Sequence, residues 1–219
     1  MEDAAPPDPT KTVSRLAHLR AFTAELFTVT CGILIALALQ GLVERHRNAE
    51  LARHARADFI AELTGNREKL STVMAQEAPV LPWLRTMAEA GEALLHHQSA
   101  KLPDPPSMRR FPVLPQTAWA TALATQALTQ LSFAEVSALS TAYTRQQDLN
   151  DLLARARDQW VSLASYGNLS APDLATMPEE DIRRGIGDVR IAFAYAASIA
   201  NLETQVIDGY KDAAKALGP

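Results

Sequence analysis

Residues Leu26 to Val43, LFTVTCGILIALALQGLV, form a run of eighteen residues without one charged side chain. As a helix the run rises about 27 Å, close to the roughly 30 Å hydrocarbon thickness of a bilayer. Ten of the eighteen are Leu, Ile, Val or Phe. At about −0.3 to −0.6 kcal/mol each on an insertion scale, they outweigh Thr28, Thr30 and the end-placed Gln40. The run therefore reads as a membrane span within residues 21–43, and the lipid bilayer is the first partner the sequence names.

Three other readings of the run fit less well. A cleaved signal peptide finds a small-x-small site at Ala36-Leu37-Ala38, yet apolar residues continue through Leu39, Leu42 and Val43 beyond it. Glu25 also abuts the run where a leader prefers basic residues. A lipoprotein cysteine at Cys31 has only Leu26 to Thr30 before it. The core helix of a soluble protein is usually shorter than this run.

Upstream, Pro6, Pro7 and Pro9 lie among acidic and small residues, and residues 1–20 read as a disordered, basic arm, with Met1 to Thr10 its disordered tail. Lys11, Arg15 and Arg20 precede the span and Arg45, Arg47, Arg53 and Arg56 follow it, so the positive-inside count is close to a tie. A short arm kept inside with a long exported domain is the usual arrangement for an uncleaved N-terminal anchor. The expectation is thus a bacterial inner-membrane protein, N-terminus inside, with residues 44–219 periplasmic. The net charge of −4 comes with no concentrated basic face, so nucleic acid is not an expected partner. Cys31 is the one cysteine, and redox compartment cannot be read from it.

Within the span, Ala24, Thr28, Gly32, Ala36 and Gln40 recur every four residues and share one helical stripe. Small and hydrogen-bonding side chains on one stripe suit close helix–helix contact in lipid. Thr28, Gly32, Ala36 and Gln40 are the candidate association face, and a homo-oligomer is the expected outcome. Past Val43 no Gly or Pro interrupts the chain before Gly65, and Leu51, Ala55, Phe59, Leu63, Leu70 and Met74 keep helical spacing. The span reads on as a stalk that Pro79 and Pro82 end near Glu77.

His46, Glu50, His54 and Asp58 fall four residues apart on that stalk, a set of types that can ligate a divalent metal. One straight helix spreads them over about 18 Å, so i,i+4 pairing of Glu50 with His54, and of Arg53 and Arg56 with nearby acids, is the favoured reading. No metal or cofactor is assigned.

The rest of the chain alternates helices and breaks. Helix signals run from Val80 to His97, where His96-His97 complements the helix dipole. Residues 98–116 carry Pro103, Pro105, Pro106, Pro112 and Pro115 and read as a long loop. Arg109, Arg110 and Phe111 are its candidate partner-binding residues, and the plainer alternative is that Phe111 and Leu114 cover the bundle. A third helix starts near Thr117 with Trp119, Leu123 and Leu128 in register. Ser132 to Glu135 is a capping box that opens a fourth, ending near Ser165. Thr176 to Glu179 is a second box, followed by a final helix of about forty residues, long enough to run back along the stalk. Trp119, Tyr143, Trp160 and Tyr210 fall on apolar faces. No segment alternates as a strand would, so the fold class is all-α, a transmembrane helix continuing into a stalk and then an antiparallel bundle.

The stretch GILIALALQGLVERHRNAELARHARADFIAELTGNREKL resembles the start of a family of uncharacterised bacterial single-pass inner-membrane proteins. Gly32 to Leu37, and Glu62-Leu63 with Asn66, match that family's pattern. Ala118 to Leu123 and Leu139 to Tyr143 are similar to its second recurring block. The family's usual tryptophan after the span is Leu42-Val43 here. The resemblance implies a non-cytoplasmic helical domain and carries no activity.

No nucleophile elbow, phosphate loop or metalloprotease helix is present, so an enzyme is not expected. Two function classes follow. The first is a membrane-anchored scaffold or accessory protein of the cell envelope with an envelope protein partner. The second is a sensory or small-ligand-binding bundle, which lacks any visible cytoplasmic output module.

Overall fold

The computed structural model describes residues 9–106, 111–164, 166, 173 and 176–218. The chain forms two compact units, Met1–Leu51 and Ala52–Pro219. All regular structure among the described residues is helical, as the spacing of apolar residues requires.

Helix α1 runs from Pro9 to Glu77. Pro9 to Arg20 of the N-terminal arm belong to this helix, and residues 1–8 of the expected disordered tail lie outside the described residues. Proline opens the helix at no cost because its missing N–H is one that no helix start uses. In the first unit the side chains from Leu26 to Thr30 and from Gly32 to Gln40 are exposed. Thr30 Oγ1 donates to Leu26 O at 2.8 Å, so its hydroxyl needs no water.

The second unit is built from the end of α1, then α2 (Val80–Leu95), α3 (Thr117–Ala124), a 3₁₀ turn (Ala127–Gln130), α4 (Phe133–Ala164) and α5 (Glu179–Leu217). Phe59, Leu63 and Leu70 of α1, Leu84 of α2, Leu139 and Leu149 of α4, and Ile199 and Val206 of α5 are fully buried. Leu123, expected in register with Trp119, is instead exposed, and Ala118 and Ala122 are the buried face of α3.

Pairings along the helices fix their directions. Arg56, Glu62 and Asn66 of α1 meet Glu135, Tyr143 and Gln146 of α4 in that order, so α1 and α4 are parallel. Tyr210 bonds Gln146 at one end of α5, and Asp188 bonds Gln159 at the other, so α5 is antiparallel to both. Ile186 of α5 meets Gly91. From Asn66 to Gly91 and from Tyr210 back to Ile186 the helical rise is about 36 Å in each case. Helix α2 must therefore continue in the direction of α1 past the Ala78-Pro79 turn, since a reversal there would return Gly91 to the level of Asn66. The three rising helices leave the chain at His97, whose left-handed backbone (φ 55°) ends α2. Histidine is among the few non-glycine residues that accept this conformation.

The chain then has to come back the length of the bundle, and the proline-rich segment does this. Trp83 Nε1 donates to Pro103 O at 3.2 Å near the top, and Asn66 Nδ2 donates to Pro115 O at 2.9 Å lower down. Extended chain advances about 3.3 Å per residue against 1.5 Å in a helix, so a helix of the same residue count would fall short. The five prolines of residues 98–116 disfavour helix there.

The capping box at Ser132 forms: Glu135 N donates to Ser132 Oγ at 3.3 Å and Ser132 N to Glu135 Oε2 at 2.7 Å. The second box does not. Pro178 caps α5 without a side-chain bond, Thr176 Oγ1 turns back to Asp173 O at 3.3 Å, and Glu179 pairs with Arg183. Helix α5 nevertheless runs 39 residues unbroken.

Two glycines separate space from propensity. A Cβ on Gly91 would lie 2.7 Å from Ile186 Cγ1, on a β-branched side chain with one favoured helical rotamer, whereas Gly65 is exposed with nothing within 4 Å. Gly65→Ala should raise stability by about 0.5–1 kcal/mol. Gly91→Ala should lower it by about 1–2 kcal/mol, both read from thermal unfolding of the detergent-solubilised chain.

Candidate functional site

The densest polar chemistry in the second unit is a buried seam where α1 meets the returning segment, α3 and α4. It starts at Arg56, whose Nε donates to Glu135 Oε1 at 2.6 Å and whose second nitrogen reaches Oε2 at 3.3 Å. Glu135 thus serves the α4 cap and a tertiary ion pair at once. The Arg56 guanidinium, opposed by burial and aided by Ser132, holds this carboxyl down to about 2. This partner corrects the expectation that Arg56 pairs with an acid one turn away on its own helix.

Two turns on, Glu62 Oε1 accepts from Tyr143 Oη at 2.6 Å, and Oε2 accepts from Ala118 N at 3.0 Å. Gln116 caps α3 with no side-chain bond, so Glu62 supplies from another helix the acceptor that the α3 start lacks. Burial pushes the Tyr143 hydroxyl up, and the Glu62 carboxylate pushes it further. The hydroxyl stays protonated and donates. Around it Phe59, Trp119 and Tyr143 pack as a ring cluster, with centroids 5.4 to 6.4 Å apart.

At the next turn Gln146, fully buried, uses every position its amide has. Its Nε2 donates to Leu114 O at 2.9 Å and Pro115 O at 3.1 Å. Its Oε1 accepts from Tyr210 Oη at 2.6 Å and from Asn66 Nδ2 at 3.4 Å. A primary amide has two donors and two acceptor sites, and all four are taken. Burial also pushes the Tyr210 hydroxyl up. With its groups committed to one another, the seam holds the fold.

No family model, curated protein or solved structure matches this chain. The role of each residue is therefore argued from its own contacts.

The residues singled out from sequence fall in different places. Thr28, Gly32, Ala36 and Gln40 are all exposed on α1, and nothing lies within 4 Å of a Cβ placed on Gly32. His46 Nε2 is 4.0 Å from Glu50 Oε1, His54 and Asp58 are exposed, and no group of three metal-ligating side chains gathers among the described residues. Arg109 and Arg110 lie outside the described residues. Phe111 is half-buried with the Arg157 guanidinium 5.3 Å from its ring centre, and Leu114 is buried, so these two cover the bundle. Between α2 and α5 a cavity of about 40 Å³ is lined by Met87, Gly91, Tyr166, Ile182 and Ile186. That is room for a water or two, while a second, more open pocket between the same helices, lined by Leu84, Arg85, Ala88, Val189, Arg190 and Phe193, has about 300 Å³, the lower end of the small-molecule range.

Sequence reasoning placed Tyr143 and Tyr210 on apolar faces but missed Gln146 and Glu135 as tertiary partners. A lone Gln among the apolar positions of α4 was the available signal.

Removing the Gln146 amide strands the Leu114 carbonyl and the Tyr210 hydroxyl, while Pro115 O keeps Asn66, so Gln146→Leu should cost about 3 kcal/mol. Tyr210→Phe removes one donor and should cost about 1 kcal/mol. Denaturant midpoints of the two variants give this order. Because Glu135 is held below its ordinary 4.5, its contribution is complete above pH 4.5 and is lost as pH falls towards 2. Arg56→Gln should flatten that acid loss by about 1–2 kcal/mol, discounted because Arg56 is partly exposed, in unfolding measured across this pH range.

Proposed function

We propose that this chain is a single-pass inner-membrane protein of the bacterial envelope whose helical domain works in the periplasm by interaction, as a self-associating scaffold or accessory subunit. One observation carries the reading. The described residues contain one helix long and apolar enough to cross a membrane, and its apolar window has no residue buried inside the structure. A core helix buries such a surface, and leaving it in water is strongly unfavourable, whereas a bilayer covers it.

The stripe of Thr28, Gly32, Ala36 and Gln40 supports self-association within lipid, where small residues let backbones approach and an amide gains a partner across the interface. The resemblance of Gly32 to Leu37, Glu62-Leu63 and Asn66 to a family of uncharacterised single-pass proteins supports the same topology. An envelope protein is the proposed partner class.

Oxidative crosslinking through Cys31 in native membranes should give a dimer that Gly32→Leu weakens severalfold, given that the stripe admits only small side chains. Protease added from the periplasmic side should digest the domain. A monomer under crosslinking in both chains would remove self-association, and digestion only from the cytoplasmic side would invert the topology.

A further inference from the structure

Residues Phe111 to Ala134, FPVLPQTAWATALATQALTQLSFA, contain no Asp, Glu, Lys, Arg or His, in a chain in which charged residues make up 21%. Burial explains part of this run, since Leu114, Ala118, Ala122, Ala127 and Leu131 are core. It does not explain the rest. Leu123 is 54% exposed and Phe133 89% exposed, the highest value of any large apolar side chain among the described residues. The exposed hydroxyls beside them turn inward: Thr125 Oγ1 donates to Thr121 O at 2.8 Å and Thr129 Oγ1 to Gln126 O at 2.7 Å. This corner therefore offers apolar carbon and uncharged groups, with the hydroxyl donors of Thr125 and Thr129 already used.

Its position in the domain is equally specific. Trp119 packs on Phe59 and Glu135 holds Arg56, so the segment between them sits at the end where the chain enters the second unit at Ala52. The opposite end has the contrary character: Glu179, Glu180, Asp181, Arg183 and Arg184 crowd the start of α5 and pair with one another on the surface. Only Glu44 to Leu51 separate Ala52 from the end of the apolar run at Val43. Fully extended, that link reaches roughly 30 Å at most, so the end at which the chain enters this unit follows the apolar run by a short link.

We propose that the corner formed by α3, the 3₁₀ turn and the first turn of α4 is a lipid-contacting surface, with Phe133 and Leu123 seated in the bilayer interface. The proposal rests on the membrane-span reading above. An aromatic and a leucine on an uncharged face are the groups that enter the headgroup and acyl boundary, and a charged surface would be excluded from it. The occupant is lipid because this end of the unit follows the apolar run by a short link and the run from Phe111 to Ala134 carries no charge with which to choose a protein partner, while Glu135 in the first turn of α4 is paired with Arg56.

The test uses the full chain with Cys31→Ala, reconstituted in vesicles of phosphatidylethanolamine and phosphatidylglycerol. Leu34→Cys, Leu123→Cys, Phe133→Cys and Val161→Cys are made singly and labelled with bimane. Val161 is the control, 69% exposed on α4 and about 42 Å along that helix from Phe133. Shallow and deep spin-labelled lipids then report contact by quenching. The expected result is strong quenching by deep labels at position 34, and by shallow labels about twofold greater at positions 123 and 133 than at 161. Quenching at 34 with none above the control at 123 and 133 overturns the proposal and leaves the span intact. An apolar-shifted emission at 133 without lipid quenching also overturns it, because a protein then covers the corner. No quenching at 34 removes the span and this proposal with it.

Discussion

A segment that crosses a folded domain in extended form cannot bond its own carbonyls, and this requirement organises the second unit. On either side of residues 107–110, which lie outside the described residues, backbone oxygens of the segment between His97 and Thr117 accept from side chains of the helices that rise together. Trp83 meets Pro103, Lys69 meets Val113 at 3.5 Å, Gln146 meets Leu114, and Asn66 and Gln146 share Pro115. Each unbonded buried carbonyl would cost about 1–3 kcal/mol. The prolines reduce the number of N–H donors needing partners, because each lacks one. What remains is mostly an acceptor problem, and amides, an indole and an ammonium solve it.

That arrangement explains why the polar residues of α1 lie where they do. Arg56, Glu62 and Asn66 step along the helix by six and four residues, and each reaches a different part of the chain: the α4 cap, the α3 start and the returning segment. A helix that buried only apolar residues on this face would fix no register against an uncharged neighbour. The carboxylate of Glu62 accepts from Tyr143 of α4 and from Ala118 N of α3, so sliding α1 by a turn would break both bonds. Register here is carried by polar pairs, while Phe59, Leu63 and Leu70 between them supply most of the burial.

Local structure was legible in the sequence wherever one residue type decides it. Pro79 and Pro82 ended α1, Ser132 and Glu135 wrote their own cap, and the apolar spacing of α4 and α5 gave their lengths. The second box at Thr176 failed because Pro178 already sets the entry to α5, and the carboxylate of Glu179 found Arg183 one turn away. Directions were not legible. Nothing in the residues at Pro79 distinguishes a hairpin from a helix that resumes its course, because the choice is made by Gly91 accepting Ile186 far down the chain. The loop likewise read as irregular from its prolines, and its role as the return strand of the bundle depends on carbonyl partners 20 to 49 residues away.

The seam also gives physical content to the two blocks that carried the family resemblance. Glu62 and Asn66 belong to one, Trp119 and Tyr143 to the other, and in sequence the blocks are separated by more than fifty residues. In the fold Glu62 accepts from Tyr143, Trp119 packs at a tilt against both Tyr143 and Phe59, and Asn66 bonds Pro115 just ahead of α3. A pattern of Glu, Asn, Trp and Tyr suggests reacting groups when read along the chain. Brought together, they saturate one another: the carboxylate is occupied at both oxygens and the tyrosine hydroxyl is kept neutral by burial. Such a motif is what a fold demands when a non-helical segment must be held against a helix.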